Sequence, residues 1–579
     1  MPAVSPSTRR WLVRLCVVTL LAVHAIIAIT GKRDWSVTSD EIIHVLAGQA
    51  YWQLDDYRIQ PENGNLPQRW IGLPAVLTGA HLPPTDDPDW LTSDQWRLGY
   101  TYLYASGNDA DRLLMRARAI NIIWSLACAL LIFAWSRRLF GLAGGFVSLG
   151  FYCLDPAFIA HGALATSDVC MTFFMLASVS AWWRYLVRGS AGAAAVSAGI
   201  FALACVAKYS AVLLLPMFIV LIIVRALARR SPPLRAGRVT AVLLAHGAAA
   251  VFVIWASFGF RYVAAGPAAP PMMQFIRDWR LLIQEIGWQG HVLAWLRDWR
   301  LLPEAFLFGY NHVVAYAQQR AAFLDGNYSV HGWVWFFPLA FLYKTTLALL
   351  AALAGALLVT LRRWRTRAGV WREDLYRVIP LLVVVAVYGT FALASHLDIG
   401  HRHILPLYPV LFIFTGALGW WAARSAARAP RWALAGLFAL AAVEEFSIHP
   451  HELAFFNALS GGPAQGYRHL VDSSLDWGQD LPGLARWLQA HPTSEPVYLS
   501  YFGTGEPGYY HIHARRLLFI NGLHVPQQYV PLEPGVYCIG ATMLQQVYSR
   551  VRGPWTLALE REYQDLRKLE PLFSQYEKD

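Results

Sequence analysis

Residues 11–30, WLVRLCVVTLLAVHAIIAIT, are an apolar run carrying a single arginine. That length meets the ~20 residues a helix needs to cross a bilayer. No small-residue cleavage site follows, so the run predicts a retained first span, not a removed signal. Directly beyond it comes WSVTSDEIIHVLAGQAYWQLDDYRIQPENGNLPQRW, residues 35–70. Asp40 and Glu41 are adjacent acids, His44 lies one helical turn beyond Asp40, and Glu62 follows in a loop fixed by Pro61 and Pro67. Acids placed just outside a span suit general-base or metal-assisted chemistry at a lipid surface. The same residues also fit a capping box, with Thr38 as N-cap, Glu41 at N3 and both acids on the positive end of a helix dipole. At this point both readings stand.

The rest of the chain has the composition that this first span announces. Of 579 residues, 56% are hydrophobic and 15% charged, with a mean hydropathy of +0.37. A soluble protein carries about a quarter charged residues, so the chain reads as a polytopic α-helical membrane protein. The net charge of +11 is then first a matter of cytoplasmic loop bias, ahead of nucleic-acid binding. Cys16, Cys128, Cys153, Cys170 and Cys205 lie in or beside apolar runs, and with Cys538 they show no paired spacing. Neither a disulfide framework nor a zinc site follows from them.

Apolar runs of spanning length recur at 118–135, 139–154, 166–183, 191–207, 209–226, 240–258, 337–360, 378–395, 404–422 and 432–448, which with the first run makes eleven expected spans. Arg137 and Arg138, Arg184 and Arg188, Arg225 through Arg238, Arg362 through Arg377, and Arg424 through Arg431 fall in alternate loops. Positive loops mark the cytoplasmic side. The N-terminus is therefore expected inside, with residues 31–117, 259–336 and 449–579 outside.

Residues 31–117 and 259–336 are too long for simple connections. The second holds RDWRLL twice, at 277–282 and 297–302. That near-duplicate predicts amphipathic helices in the interface, with Trp anchoring and Arg snorkelling. After 449 the pattern changes. VYLSYFG (497–503) and GVYCIGAT (535–542) read as strands, while 481–490 and 542–551 read as helices. The division expected is a transmembrane domain over 1–448 and a small extracytoplasmic α/β domain over 449–579.

Charged groups in or at the edge of spans are costly and are functional candidates by default. Lys208 sits between two spans, Lys344 within the expected eighth, and Arg402 between His401 and His403. Asp155 and Asp168 flank an outer loop. Cations and carboxylates at one membrane surface suit an anionic lipid-linked ligand. Plainer readings exist for each. Lys208 snorkels, Asp168 caps a helix, His401 and His403 are interfacial, and the acids of DSSLDWGQD (472–480) cap the helix that follows. No P-loop, dinucleotide fingerprint, HExxH or GxSxG occurs in a fitting context.

Taken together, several stretches resemble the polyprenyl-phosphate-sugar-dependent GT-C glycosyltransferases, the group of protein O-mannosyltransferases and lipid A aminoarabinose transferases. They are the Asp40-Glu41 pair, PENGNLP around Glu62, ALATSD (163–168), the Lys208-Tyr209 turn, GWVWFFPLAFLYKT (332–345) and GHRHILPLYP (400–409). NALSGGPAQG (457–466) and DSSLDWGQD look like bacterial family-39-type members. The resemblance implies an enzyme of the plasma (inner) membrane with an extracytoplasmic site, transferring a sugar with inversion from a polyprenyl-phosphate donor. The acceptor would be a protein, a lipid A or a glycan of the envelope. Asp40, Glu41 and Glu62 would be catalytic, although the family's His-Pro-Pro is missing beside Glu62. His44, Lys208, Lys344, Arg402 and His403 would bind substrate. Family members differ in metal use, so the cofactor is left open, a divalent metal being compatible. The alternative is a lipid-linked-sugar carrier or flippase, which the long outer loops disfavour because carriers keep the path inside the bundle.

Overall fold

The structure is a computed structural model. It describes residues 5–518 apart from 232, 234, 271 and 368, together with 528–548 and 556–568. Among the described residues, eight helical stretches are long and apolar enough to cross a membrane, one of them a kinked pair. They include Pro6–Thr30, Ala110–Cys153, Asp168–Arg188, Ala236–Ser257, Leu347–Thr366 and Val370–Ala394. The difference from eleven has local causes. The runs at 118–135 and 139–154 both lie within Ala110–Cys153 and are two helices, as expected, that reverse at Gly141, where φ is 79°, and pack side by side, with Ser125 Oγ 2.7 Å from the Tyr152 hydroxyl and Ser148 Oγ donating to Ser136 Oγ at 2.8 Å. The run at 191–207 yields only Ala191–Cys205, ending ahead of a 3-10 turn at Tyr209–Leu213. The last run forms Ala429–Phe446, whose final turn carries Glu444 and Glu445.

Lys344 is not inside a span. The 337–360 run divides into Phe336–Lys344 and Leu347–Thr366, because Thr345 is extended and the Thr346 hydroxyl accepts from Leu349 N–H at 3.2 Å to start a new helix. Lys344 thus ends a short helix at the mouth of the bundle.

The arginine-bearing loops gather at one end. Arg230 pairs with Glu373 at 2.5 Å, Arg377 donates to the Arg138 carbonyl at 3.2 Å, and Arg225 donates to that of Leu186 at 3.2 Å. The opposite end carries the two long loops and the tail. In the first loop, helices Glu41–Gln53 and Asn65–Leu77 pack backbone to backbone. A Cβ on Gly48 would lie 1.9 Å from the Gln68 carbonyl oxygen, so only glycine permits this approach, which sets Gln68 beside His44.

The two RDWRLL copies take different conformations. In the first, Asp278 accepts from Arg280 N–H at 2.7 Å and caps Trp279–Glu285, while Trp279 is buried against Phe308. In the second, Trp299 follows the end of Trp288–Asp298 and is exposed. A hexapeptide starts one helix and stops another according to what precedes it.

In the tail, Val497–Ser500 is the central strand of a parallel sheet between Arg515–Arg516 and Val536–Ile539, with helices Leu481–Ala490, Ala541–Tyr548 and Leu557–Leu566. Expected helical residues 549–551 lie outside the described residues. Ahead of the sheet, residues 452–480 are woven into the first loop. Ser36 N–H donates to the Gln479 carbonyl and Ser39 N–H to that of Trp477, both at 2.9 Å. Buried Trp477 packs in one cluster with Trp35, Ala160, Leu164 and Leu453.

Candidate active site

Four charged side chains meet where the spans end. Asp40 stands at the N-cap of Glu41–Gln53 and caps nothing with its side chain. Its Oδ2 instead accepts from Arg402 Nη1 at 2.6 Å. Arg402 comes from the 3-10 turn His401–Leu407 that leads into the Tyr408–Arg424 helix. Its Nη1 lies 3.6 Å from Asp168 Oδ2, and Asp168 Oδ1 accepts from Lys208 Nζ at 2.6 Å. Asp168 opens its helix and Lys208 precedes a 3-10 turn, so both chain breaks expose the charges to the same place. Two carboxylates face two cations. The cluster is not saturated, however. Asp168 Oδ2, Arg402 Nε and His403 Nε2 are buried and have no hydrogen-bond partner among the described residues.

His44 and Glu62 line the same region. Gln68 Nε2 is hydrogen-bonded to His44 Nδ1 at 3.1 Å and donates to Gln60 Oε1 at 2.8 Å. Burial lowers the His44 pKa, opposed by the charges of Asp40, Asp168 and Glu62 around it, so the ring is neutral at pH 7. Glu62 Oε1 accepts from Gln95 Nε2 at 2.8 Å and lies 3.6 Å from His312 Nε2, while Oε2 has no partner among the described residues. Burial pushes the Glu62 carboxyl up, but hydrogen bonding to His312 and Gln95 brings it below the usual range.

Glu41 faces away from Asp40. Both its oxygens bind Arg118, at 2.9 Å from Nε and 2.6 Å from Nη2, and Oε1 also accepts from Ala165 N–H at 2.9 Å. Thr38 N–H and hydroxyl donate to Oε2 at 3.1 Å. The helix begins at Glu41, so Thr38 is not the N-cap of the expected box; only the return bond from Glu41 to Thr38 N–H is made. Against burial, Arg118 and these bonds hold Glu41 below the usual carboxylate range.

Lys344 is turned to the tail. Its Nζ donates to the carbonyls of Leu453 at 2.8 Å and Ser474 at 2.6 Å and lies 4.5 Å from the Phe456 ring centre. His401 is hydrogen-bonded through Nε2 to the Tyr408 hydroxyl at 2.6 Å, and its backbone N–H donates to Ser474 Oγ at 2.9 Å. Beside the cluster, the DSSLDWGQD segment contributes the Trp477 ring, 4.1 Å under the Arg402 guanidinium. Its Asp480 opens the helix that follows without a side-chain cap. Burial pushes Asp472 and Asp476 up to about 6 and Asp480 to about 7.

Sequence reasoning passed over Arg118, Gln68, Gln95, His312 and Trp477. Arg118 did carry a signal, as an arginine opening an apolar run. The others are polar or aromatic residues of ordinary appearance whose partners are fixed by the fold.

Residues 111–255 match the family model of dolichyl-phosphate-mannose-protein mannosyltransferase. No curated protein matches the chain. Among solved structures it is similar to the oligosaccharyltransferase of Archaeoglobus fulgidus in the apo form, at 11% identity and a TM-score of 0.47, covering 86% of this chain and 64% of that one. ArnT from Cupriavidus metallidurans bound to undecaprenyl phosphate is similar at 13% identity and a TM-score of 0.42, covering 86% and 85%. The chain thus spans just under two thirds of the archaeal enzyme's length. The stretch that carries the family match, 111–255, is the one that holds Arg118, Asp168 and Lys208.

Proposed function

We propose that the chain is an inverting glycosyltransferase that moves a sugar from a polyprenyl-phosphate donor to an envelope acceptor. The observation that carries this is the Asp40–Arg402–Asp168–Lys208 cluster, set where membrane helices end and two long loops close over them. Asp40 takes the proton from an acceptor hydroxyl or amine as that atom attacks the anomeric carbon. The bond from the anomeric carbon to the lipid phosphate oxygen breaks, and the phosphate leaves carrying the electron pair. Lys208 and Arg402 meet the charge that develops on it. Arg402 uses only Nη1 on the two aspartates, so the other edge of its fork remains for a phosphate oxygen. Glu41 does not reach the reacting atoms in this account. With Arg118 it fixes the backbone that presents Asp40.

The site faces away from the cytoplasm. The support is the separation of the cluster from the arginine loops, which gather at the other end of the bundle and mark the cytoplasmic side. The test is transfer by the purified chain in liposomes containing a radiolabelled polyprenyl-phosphate sugar and an envelope extract. Label is expected on an envelope product. Donor movement across the bilayer with no product would support a carrier instead.

A further inference from the structure

A second cluster lies behind the first loop, where the Ala429–Phe446 helix ends against the end of Pro6–Thr30. Glu445, His449 and Glu452 each offer a ligand atom, and these atoms lie within 4.8 Å of one another. Glu445 is 0% exposed, yet both its carboxylate oxygens lack a hydrogen-bond partner among the described residues. An unmatched carboxylate so placed costs several kcal/mol unless something neutralises it. Glu452 is also buried and already holds Lys32, Nζ to Oε2 at 2.6 Å. Its Oε1 is 2.6 Å from His449 Nδ1. The charges that face Glu445 are Glu452, Lys32 and Asp155, so two carboxylates near it share one lysine.

We infer that Glu445, His449 and Glu452 form a structural site for a divalent transition ion of the zinc type. Two carboxylates and one imidazole are a mixed oxygen and nitrogen set that such ions take, with a fourth position left open. In the empty site the proton between His449 Nδ1 and Glu452 Oε1 occupies the metal's place. On binding, Glu445 gives up its carboxyl proton to solvent and ligates as the carboxylate, the His449 ring shifts its proton from Nδ1 to Nε2 so that Nδ1 can ligate, and the two facing atoms move apart to the ~3.3 Å of a tetrahedral edge. His449 is 29% exposed, which gives an entry path. Gly31 makes the room, since a Cβ there would lie 2.9 Å from His449 Cε1. The ion would fix the start of the tail to the end of Ala429–Phe446, with Glu452 still holding Lys32 at the end of the first helix. There Arg118 Nη1 donates to the Lys32 carbonyl at 3.1 Å and Trp35 Nε1 to that of Pro450 at 3.1 Å. It is separate from the Asp40 cluster and does not depend on the proposed reaction.

The test measures metal content of the full chain, purified in detergent, stripped, and dialysed against micromolar zinc. About one zinc per chain is expected in the wild type and in Asp40→Asn, and none in Glu445→Gln or His449→Gln that elute as the folded protein does. Zinc added to the stripped wild type should also release about one proton per ion bound. Because that second reading needs no variant, it decides the matter even where the substitutions fail to fold. A wild type that takes up no ion, or a Glu445→Gln that keeps it, overturns the site and leaves Glu445 a protonated acid.

Discussion

Asp40 and Glu41 are neighbours in the chain with opposite surroundings. Asp40 has one short bond to Arg402 and a partly exposed side chain, whereas Glu41 is enclosed and bound by Arg118, Ala165 and Thr38. Breaking a buried pair by removing one partner typically costs 3–5 kcal/mol. Arg118→Met is therefore expected to destabilise the folded chain by about that amount, read as a lowered midpoint of thermal unfolding in detergent. Glu41 also has a pH signature. Its folded pKa lies below the ordinary glutamate value, so its stabilisation is present above the unfolded value and is lost as pH falls through the folded one. Glu41→Gln should flatten the acid limb of the stability profile, and an unchanged limb would count against the pairing. The adjacency of the two acids was legible in the sequence. Their divergence was not, because it depends on an arginine far along the chain whose only mark was to sit in an apolar run.

At the scale of elements, the site is assembled from breaks. The Thr345–Thr346 interruption, the 3-10 turn that begins at Tyr209 and the 3-10 start of the Tyr408 helix each put a cation at the bundle mouth instead of inside it. Apolar runs reveal where spans lie but not where they divide, which is why Lys344 reads as intramembrane from sequence and is found holding tail carbonyls. The DSSLDWGQD segment looked like a helix cap with spare acids. Folded, it places Trp477 under Arg402. A cation–π contact of this kind is worth about 0.5–2 kcal/mol. Trp477→Leu should then cut transfer by roughly two- to thirtyfold, measured well below an unfolding midpoint that the cavity left in the Trp35 cluster lowers. A normal rate would mean that the ring packs without orienting Arg402.

Over the whole molecule, charge divides the bundle. Arginine loops meet at one end, while the acid–cation cluster, both long loops and the tail share the other. The alternation of those loops was readable directly, since each lies between apolar runs. The weaving of residues 452–480 into the first loop was not, because no local pattern encodes which distant backbone a turn will bond. In a cysteine-free background, single cysteines at Thr85 and His491 are expected to react with an impermeant reagent added outside cells, and one at Thr366 only after lysis. Labelling of Thr366→Cys in intact cells would invert the orientation.

Every part of this architecture bears on one carboxylate, and its removal is the most direct trial. Asparagine keeps the shape of Asp40 and can still accept from Arg402, so folding should be unaffected. Turnover by Asp40→Asn, measured with radiolabelled polyprenyl-phosphate sugar beside the wild type, is predicted to fall by roughly 10²–10⁴, the span of a lost general base. Retention of more than about a tenth of wild-type turnover, well outside that span, would contradict the account.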